Sequence, residues 1–382
     1  EALVLAGALP ALAEEELHIG QDTIHRTSSF AEDVKWNSHV PPNFHYDGRQ
    51  WHRSPPEEVD LQADGWSRSP EDPGVAAFRE HLLRNNCIKD LEVVSPADVN
   101  YTARAARLFA RDGFVVVRDA LNAEQLAAMR NVTAYILQKV FAVDPQGRSG
   151  RGPGRRAHRY SLGGCSATRQ NFHLPEYTEL IDLPATTPVL KAIFGSGDYV
   201  ARGSGGDVAL AGAIEYQPLH MDAIWGSYLH ELIPYLRTAP IVAVNFALED
   251  VTAINGPIRQ IPRSHHSHEH PPALHDEPEW MKLSTVCPVP AGSAIIRDNR
   301  AWHGGTPNLS NERRTLANIE YYAPGFRHYV PGWADPRDFA MPRQHWNRLS
   351  AHAQHVAREI VADPRAMKPP REGQYSPYFW EY

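Results

Sequence analysis

Cysteine is scarce in this 382-residue chain: Cys87, Cys165 and Cys287 stand far apart and form no CxxC pair. A sparse, odd count predicts neither a disulfide framework nor a thiolate zinc site. It reads as the mark of a reducing, intracellular compartment, cytoplasmic or within an organelle. Long apolar runs are also missing. No stretch reaches the roughly 18 residues that suggest a membrane span. Positive charge is not in excess: 38 Lys and Arg face 45 Asp and Glu, for a formal net charge of -7. Such a chain lacks the basic footprint needed to hold nucleic acid or an anionic membrane surface without specificity. The Gly- and Arg-rich stretch "DPQGRSGRGPGRRAHRYS" has no GK[ST] ending, which excludes a phosphate-binding loop of that type. No internal repeat is seen, and the final "FWEY" is not a peroxisomal address.

What is present suits a folded enzyme. Hydrophobic residues make up 42% of the chain, enough to fill a core. Residues 1–95 are rich in Pro, Trp and His, with weak periodicity, and read as an irregular arm that Phe44, Trp51 and Trp66 anchor on the main domain. Residues 96–330 read as one domain and residues 331–382 as a helical extension. In the domain, "ADVNYTARAARLFARDG" predicts a helix ending near Gly113, and "FVVV" a strand. A second helix starts at Asn122, with Gln125 at its third position as in a capping box.

From about residue 195 to 325 the pattern changes to short apolar runs separated by Gly, Pro and Asn. "DVALAGAIEY", "PIVAVNFALEDV", "IRQIP", "GSAIIRDN" and "RTLANIEYYAP" predict a mainly β fold with flanking helices, an antiparallel double-stranded β-helix or jelly roll. Within it, "EYQPLHMDAIWG" places His220 and Asp222 two residues apart. On a strand, that spacing turns both side chains to one face, with Met221 pointing away. His303, after the run "GSAIIRDNRAW", is the best third partner. Two histidines and a carboxylate on one face of a metal ion form the triad of non-haem Fe(II) oxygenases. A 2-oxoglutarate co-substrate also needs a cation for its far carboxylate. Arg suits this because its planar fork binds carboxylates bidentately. Arg314 opens the strand "RTLANIEYY" and is expected to face inward, with Arg313 facing outward.

Several blocks in order resemble the phytanoyl-CoA dioxygenase (PhyH-type) family of Fe(II)/2-oxoglutarate oxygenases. They are "DGFVVVRDALNAEQLAAMR", "QPLHMD", "NFALEDVTAINGPIRQIPRSHH" and "AGSAIIRDNRAWHGGTPNLSNERRT", and together they span roughly residues 105 to 325. The resemblance implies His220, Asp222 and His303 as iron ligands and as the catalytic centre. It implies Arg314 as the clamp on 2-oxoglutarate, with Gln217 and Asn245 also near the co-substrate. Asn245 stands where the family often has Trp, and Arg263 replaces Gly in the usual P-G-S-H. The expected cofactors are Fe(II), 2-oxoglutarate and O2. The expected partner is a small-molecule or lipid-like substrate that is hydroxylated as succinate and CO2 are released. Asp222 favours oxygen transfer over halogenation, because the related halogenases lack this carboxylate. Desaturation, epoxidation, cyclisation, or a non-catalytic metal-binding jelly roll are the alternatives. The histidine-rich stretch "SHHSHEHPPALH" and Arg155, Arg156 and Arg159 read as solvated loops, and Asn308 as a turn residue.

Overall fold

The computed structural model describes residues 70–143, 159–162, 170–222, 238–326 and 340–361, together with the backbone of four short strands nearer the N-terminus. Those four form two antiparallel pairs, β1 (Leu17–Ile19) with β2 (Asp22–Ile24) and β3 (Phe44–Tyr46) with β4 (Trp51–Arg53). The side chains of the aromatic anchors expected in the arm, and the basic residues Arg155 and Arg156, lie outside the described residues.

Seven strands build the main sheet: β5 (Val93–Val94), β6 (Phe114–Val117), β7 (Arg159–Ser161), β8 (Val200–Ala209), β9 (Ile241–Ala247), β11 (Ala294–Asp298) and β13 (Arg314–Tyr322). Their spatial order is β5-β6-β11-β9-β13-β8-β7. Only β5 and β6 run parallel. A smaller sheet pairs β10 (Ile258–Gln260) with β12 (His303–Gly305). Single bridges extend it on both sides, His220 to His303 and Arg259 to Thr285.

The strand pleat divides the core. One face of the main sheet carries Val242, Val244 and Phe246 of β9, Ile296 of β11 and Ile319 and Tyr321 of β13. They pack with Met129, Ile136 and Leu137 of the helix Ala123–Val143 and with Val189 and Leu190 of the helix Thr187–Phe194. The other face carries Phe114, Val116, Ala247, Ile295 and Leu316, which meet Ile258, Val286 and Val289 from the smaller sheet and its surroundings. Each fully buried Val, Ile, Leu or Phe contributes about 1.5–3 kcal/mol. These two clusters therefore hold the two sheets face to face, and the predicted jelly roll with flanking helices is the observed fold.

Local signals fall where the sequence predicts them. The helix Tyr101–Asp112 stops at Gly113, whose φ of 83° is the left-handed conformation that favours glycine. Asn122 and Gln125 close the expected box: the Gln125 N–H donates to Asn122 Oδ1 at 2.8 Å, and the Asn122 N–H to Gln125 Oε1 at 3.0 Å. Ala353, Val356 and Ile360 of the C-terminal segment are buried in the main core. Among the described residues, no helix is long and apolar enough to cross a membrane.

The expectation from cysteine is corrected. Cys87 and Cys287 form a disulfide across 200 residues of sequence. The partners are brought together by the fold: the Cys87 and Ile88 N–H groups both donate to Thr285, two residues before Cys287. A count of cysteines carries no information on such long-range pairing, and the ground for expecting a reducing compartment falls with it.

Candidate metal centre

The segment from Gln217 to Asp222 runs antiparallel beside β12. The His220 N–H donates to the His303 carbonyl at 2.9 Å, and the His303 N–H returns the bond at 3.0 Å. Side chains alternate along it. Leu219 and Met221 pack with Ile261 and Trp302 in an apolar cluster, while His220 and Asp222 turn the other way. The two imidazoles lie 4.3 Å apart between centroids. His220 Nε2 is 3.5 Å from Asp222 Oδ1, and His303 Nε2 is 3.1 Å from Asp222 Oδ2. One ligand atom from each of the three falls within 4.8 Å of the others, the arrangement that can hold a metal ion.

Backbone carbonyls fix the ring orientation. His220 Nδ1 donates to the Pro218 carbonyl at 3.0 Å, and His303 Nδ1 to the Ala301 carbonyl at 2.9 Å. A carbonyl only accepts, so each Nδ1 carries the hydrogen, and each neutral ring presents the Nε2 lone pair. Burial, followed by the charge of Arg297, pushes His303 down to about 4 and keeps it neutral. Burial works to raise the Asp222 carboxyl, but the charge of Arg297, whose Nη2 donates to it, holds it well below the usual carboxylate range. Two neutral imidazoles and an ionised carboxylate, with no thiolate among them, form a donor set suited to Fe(II).

Arg297 of β11 lies against this group. Its Nη2 donates to Asp222 Oδ2 at 2.7 Å, and its Nη1 is 3.1 Å from His303 Nε2. Arg314 is buried, at 3% exposure, and donates from Nε to the Gly256 carbonyl at 2.8 Å and from Nη1 to the Asp207 carbonyl at 3.1 Å. Arg313 instead approaches Glu249 and is partly exposed, so the inward–outward split along β13 is as expected. Asn245 lies on the inner face of β9, opposite Ile295 and Asn318, and is buried with its Nδ2 unpartnered by the described residues. Gln217 accepts the Gly305 N–H through Oε1 at 2.9 Å, which ties the ligand-bearing segment to β12.

Two arginines depart from expectation. Arg159, expected in a solvated loop, is 4% exposed. It begins β7, opposite Ala209, which in turn faces Arg314. Its Nη2 bonds the Glu215 and Thr306 carbonyls, while Nε and Nη1 have no partner among the described residues. Burial and then the charge of Arg314 push it down to about 9. Nothing in its Gly- and Arg-rich surroundings signals this. Arg297 has a signal that sequence reading passed over: it stands in "AIIRD" at the inward position two after Ile295. In the histidine-rich stretch, His265 is buried rather than solvated, and His266, His268, His270 and His275 are exposed. Among the described residues, none of these five belongs to a group that could hold a metal ion. Asn308 is buried and acts as a turn residue, its Nδ2 bonding the Ala209 and Glu312 carbonyls.

A jelly roll that presents two imidazoles and a carboxylate on one inner face belongs to the class of non-haem iron enzymes. The chain is a member of the phytanoyl-CoA dioxygenase (PhyH) family, whose sequence profile it matches over residues 109–316. It is an Fe(II)- and 2-oxoglutarate-dependent enzyme with O2 as co-substrate. Among solved structures it is similar to AviO1 from Streptomyces viridochromogenes Tue57, at 20% identity and a TM-score of 0.41, over 58% of this chain and 95% of that one. It is also similar to two proteins of nogalamycin biosynthesis. One is the non-haem alpha-ketoglutarate-dependent epimerase SnoN, at 18% identity and a TM-score of 0.40, over 63% of this chain and 91% of that one. The other is the carbocyclase SnoK, at 17% identity and a TM-score of 0.42, over 61% of this chain and 91% of that one.

Proposed function

We propose that the chain hydroxylates a small-molecule or lipid-like substrate and converts 2-oxoglutarate to succinate and CO2 in the same cycle. In this reading residues 96–330 are the oxygenase unit. His220 and His303 hold Fe(II) through Nε2 and Asp222 through a carboxylate oxygen. Arg314 takes the far carboxylate of 2-oxoglutarate by a charge-assisted fork. Asn245 turns its amide donor toward the co-substrate, and Gln217 acts by holding the 217–222 segment on β12. When bound, the metal supplies the activation of O2 that no side chain here can provide. The protein orients the ligands and shields His303, Arg297 and Arg314, which are all buried, from water.

The observation that carries the reading is the convergence of the three ligand side chains, with both Nδ1 atoms bonded to backbone carbonyls. The presence of Asp222 favours oxygen transfer over halogenation. The test is a screen of metabolite fractions with the purified protein, Fe(II), 2-oxoglutarate and O2, following succinate by NMR and products by mass. The expected result is succinate that depends on one fraction, matched by a product heavier by one oxygen atom. A product lighter by two hydrogens would replace hydroxylation with desaturation or ring closure. Iron binding with no succinate from any fraction would leave a metal-binding jelly roll in place of an enzyme of this reaction.

A further inference from the structure

Arg297 is the only guanidinium among the described residues that contacts the ligand side chains. Its own side chain is 6% exposed, and its one ion-pair partner among the described residues is Asp222, at 2.7 Å from Nη2 to Oδ2. Its second contact is informative in its geometry. Nη1 lies 3.1 Å from His303 Nε2 and 3.3 Å from His303 Nδ1. An approach in the ring plane along the Nε2 lone pair would leave Nδ1 much farther away than Nε2. Near-equal distances place Nη1 over the face of the ring. Nδ1 moreover already donates to Ala301, so it cannot accept from the guanidinium. The contact is an N–H of the guanidinium aimed at the face of the ring, and it leaves the in-plane Nε2 lone pair open.

We propose that Arg297 is a positioning residue for the metal centre, one that sets the orientation of two ligands at once. Its Nη2 occupies Asp222 Oδ2 and stops the carboxylate from rotating, so that Oδ1 is the oxygen offered to the metal. Its Nη1 covers one face of His303 and, with the Ala301 carbonyl, fixes the plane of that ring. One-oxygen ligation by Asp222 leaves more of the coordination sphere to the co-substrate. The strand provides the means: Arg297 sits between Phe114 and Ala243 in register, and the small Ala243 leaves the long side chain room to lie along the inner face.

This inference rests on His220, Asp222 and His303 being the metal ligands. Two effects of Arg297 oppose each other. Its charge repels a divalent ion, while its hold on Asp222 and His303 removes rotational freedom that binding would otherwise have to freeze. Asp222 is 31% exposed, so water screens the repulsion, whereas the other recorded contact to Oδ2 among the described residues is His303 Nε2 at 3.1 Å, which cannot donate to it. Outer partners of metal ligands are typically worth about 10- to 100-fold in metal affinity.

The test is titration of Mn(II) into metal-stripped protein, by calorimetry or EPR, for the parent, Arg297→Met and Arg297→Lys. Circular dichroism confirms the fold at the titration temperature. Arg297→Met should bind Mn(II) about 10- to 100-fold more weakly than the parent. Arg297→Lys, which keeps the charge and loses the fork, should also bind more weakly. Binding by Arg297→Met as tight as the parent's, or tighter, overturns the proposal, because charge repulsion would then dominate. If Arg297→Met fails to fold, Arg297→Lys decides, and parent-like affinity there overturns it. A parent that does not bind Mn(II) at all sinks the ligand assignment itself, along with the inference built on it.

Discussion

Arg314 and His265 are both buried single side chains, and each makes a prediction at its own scale. Arg314 already donates to two carbonyls, so its fork is held in place before any carboxylate arrives. Arg314→Ala should raise the KM for 2-oxoglutarate by roughly 30-fold or more, the size of a lost hydrogen bond to a charged group at ~2 kcal/mol. Steady-state kinetics with varied 2-oxoglutarate check it. His265 is pushed down to about 4, first by burial. Its folded form refuses a proton that the unfolded chain accepts below pH 6.5. Its contribution to stability is therefore complete above pH 6.5 and is lost as pH falls from there to about 4. The slope is about 1.4 kcal/mol per pH unit. Thermal melts across that range should show a shallower acid loss in His265→Gln than in the parent. Legibility at this scale followed chemistry: His220, Asp222, His303 and Arg314 stood out because imidazoles, carboxylates and guanidinium forks have few roles on one strand face. Arg159 did not, since a run of arginines beside glycines reads as solvent-exposed whichever of them the fold buries.

Among the elements, β12 leaves no room for a side chain at its centre. A Cβ on Gly304 would come within 2.8 Å of the Gln217 carbonyl oxygen and 3.0 Å of that of Pro218. Gly304→Ala should thus push β12 off the ligand-bearing segment, lowering stability by about 1–3 kcal/mol and weakening Mn(II) binding, because His303 moves with the strand. Denaturant melts and metal titration on one preparation would show both losses together. A loss of stability with unchanged Mn(II) affinity would separate His303 from β12. The strands β9, β11 and β13 were readable because apolar runs end at turn residues. β8 was only half visible: the predicted run begins at Asp207, and the glycine-rich part before it, "ARGSGG", is strand because β13 pairs with it. Its glycines answer to neighbours, since a Cβ on Gly203 would come within 3.0 Å of the Glu320 carboxyl carbon. Such requirements come from across the sheet and leave no mark in local propensity.

For the whole molecule, the disulfide is the feature that composition could not foresee. Cys87 follows the helix Pro73–Asn85, and Cys287 is fully buried between the sheets. Closing a loop of 200 residues restricts the unfolded chain, which stabilises the fold by about 2–5 kcal/mol. Cys287→Ser, or the parent in reductant, should therefore melt at a lower temperature than the oxidised parent. Equal melting temperatures would count against the bond as a brace. The jelly roll itself was legible from strand spacing, because alternating runs must bury one face. The pairing of Cys87 with Cys287 is a long-range outcome of that burial.

The two-way backbone bond between His220 and His303 bears on the order of assembly. Gln217 and Gly305, which flank that pair, are 88 residues apart, and the ligands meet only once the smaller sheet has closed. Iron therefore cannot template this chain as zinc does in a finger whose ligands lie close in sequence. The site exists only in the folded chain, so bound iron would stabilise the fold by mass action as well as complete the enzyme.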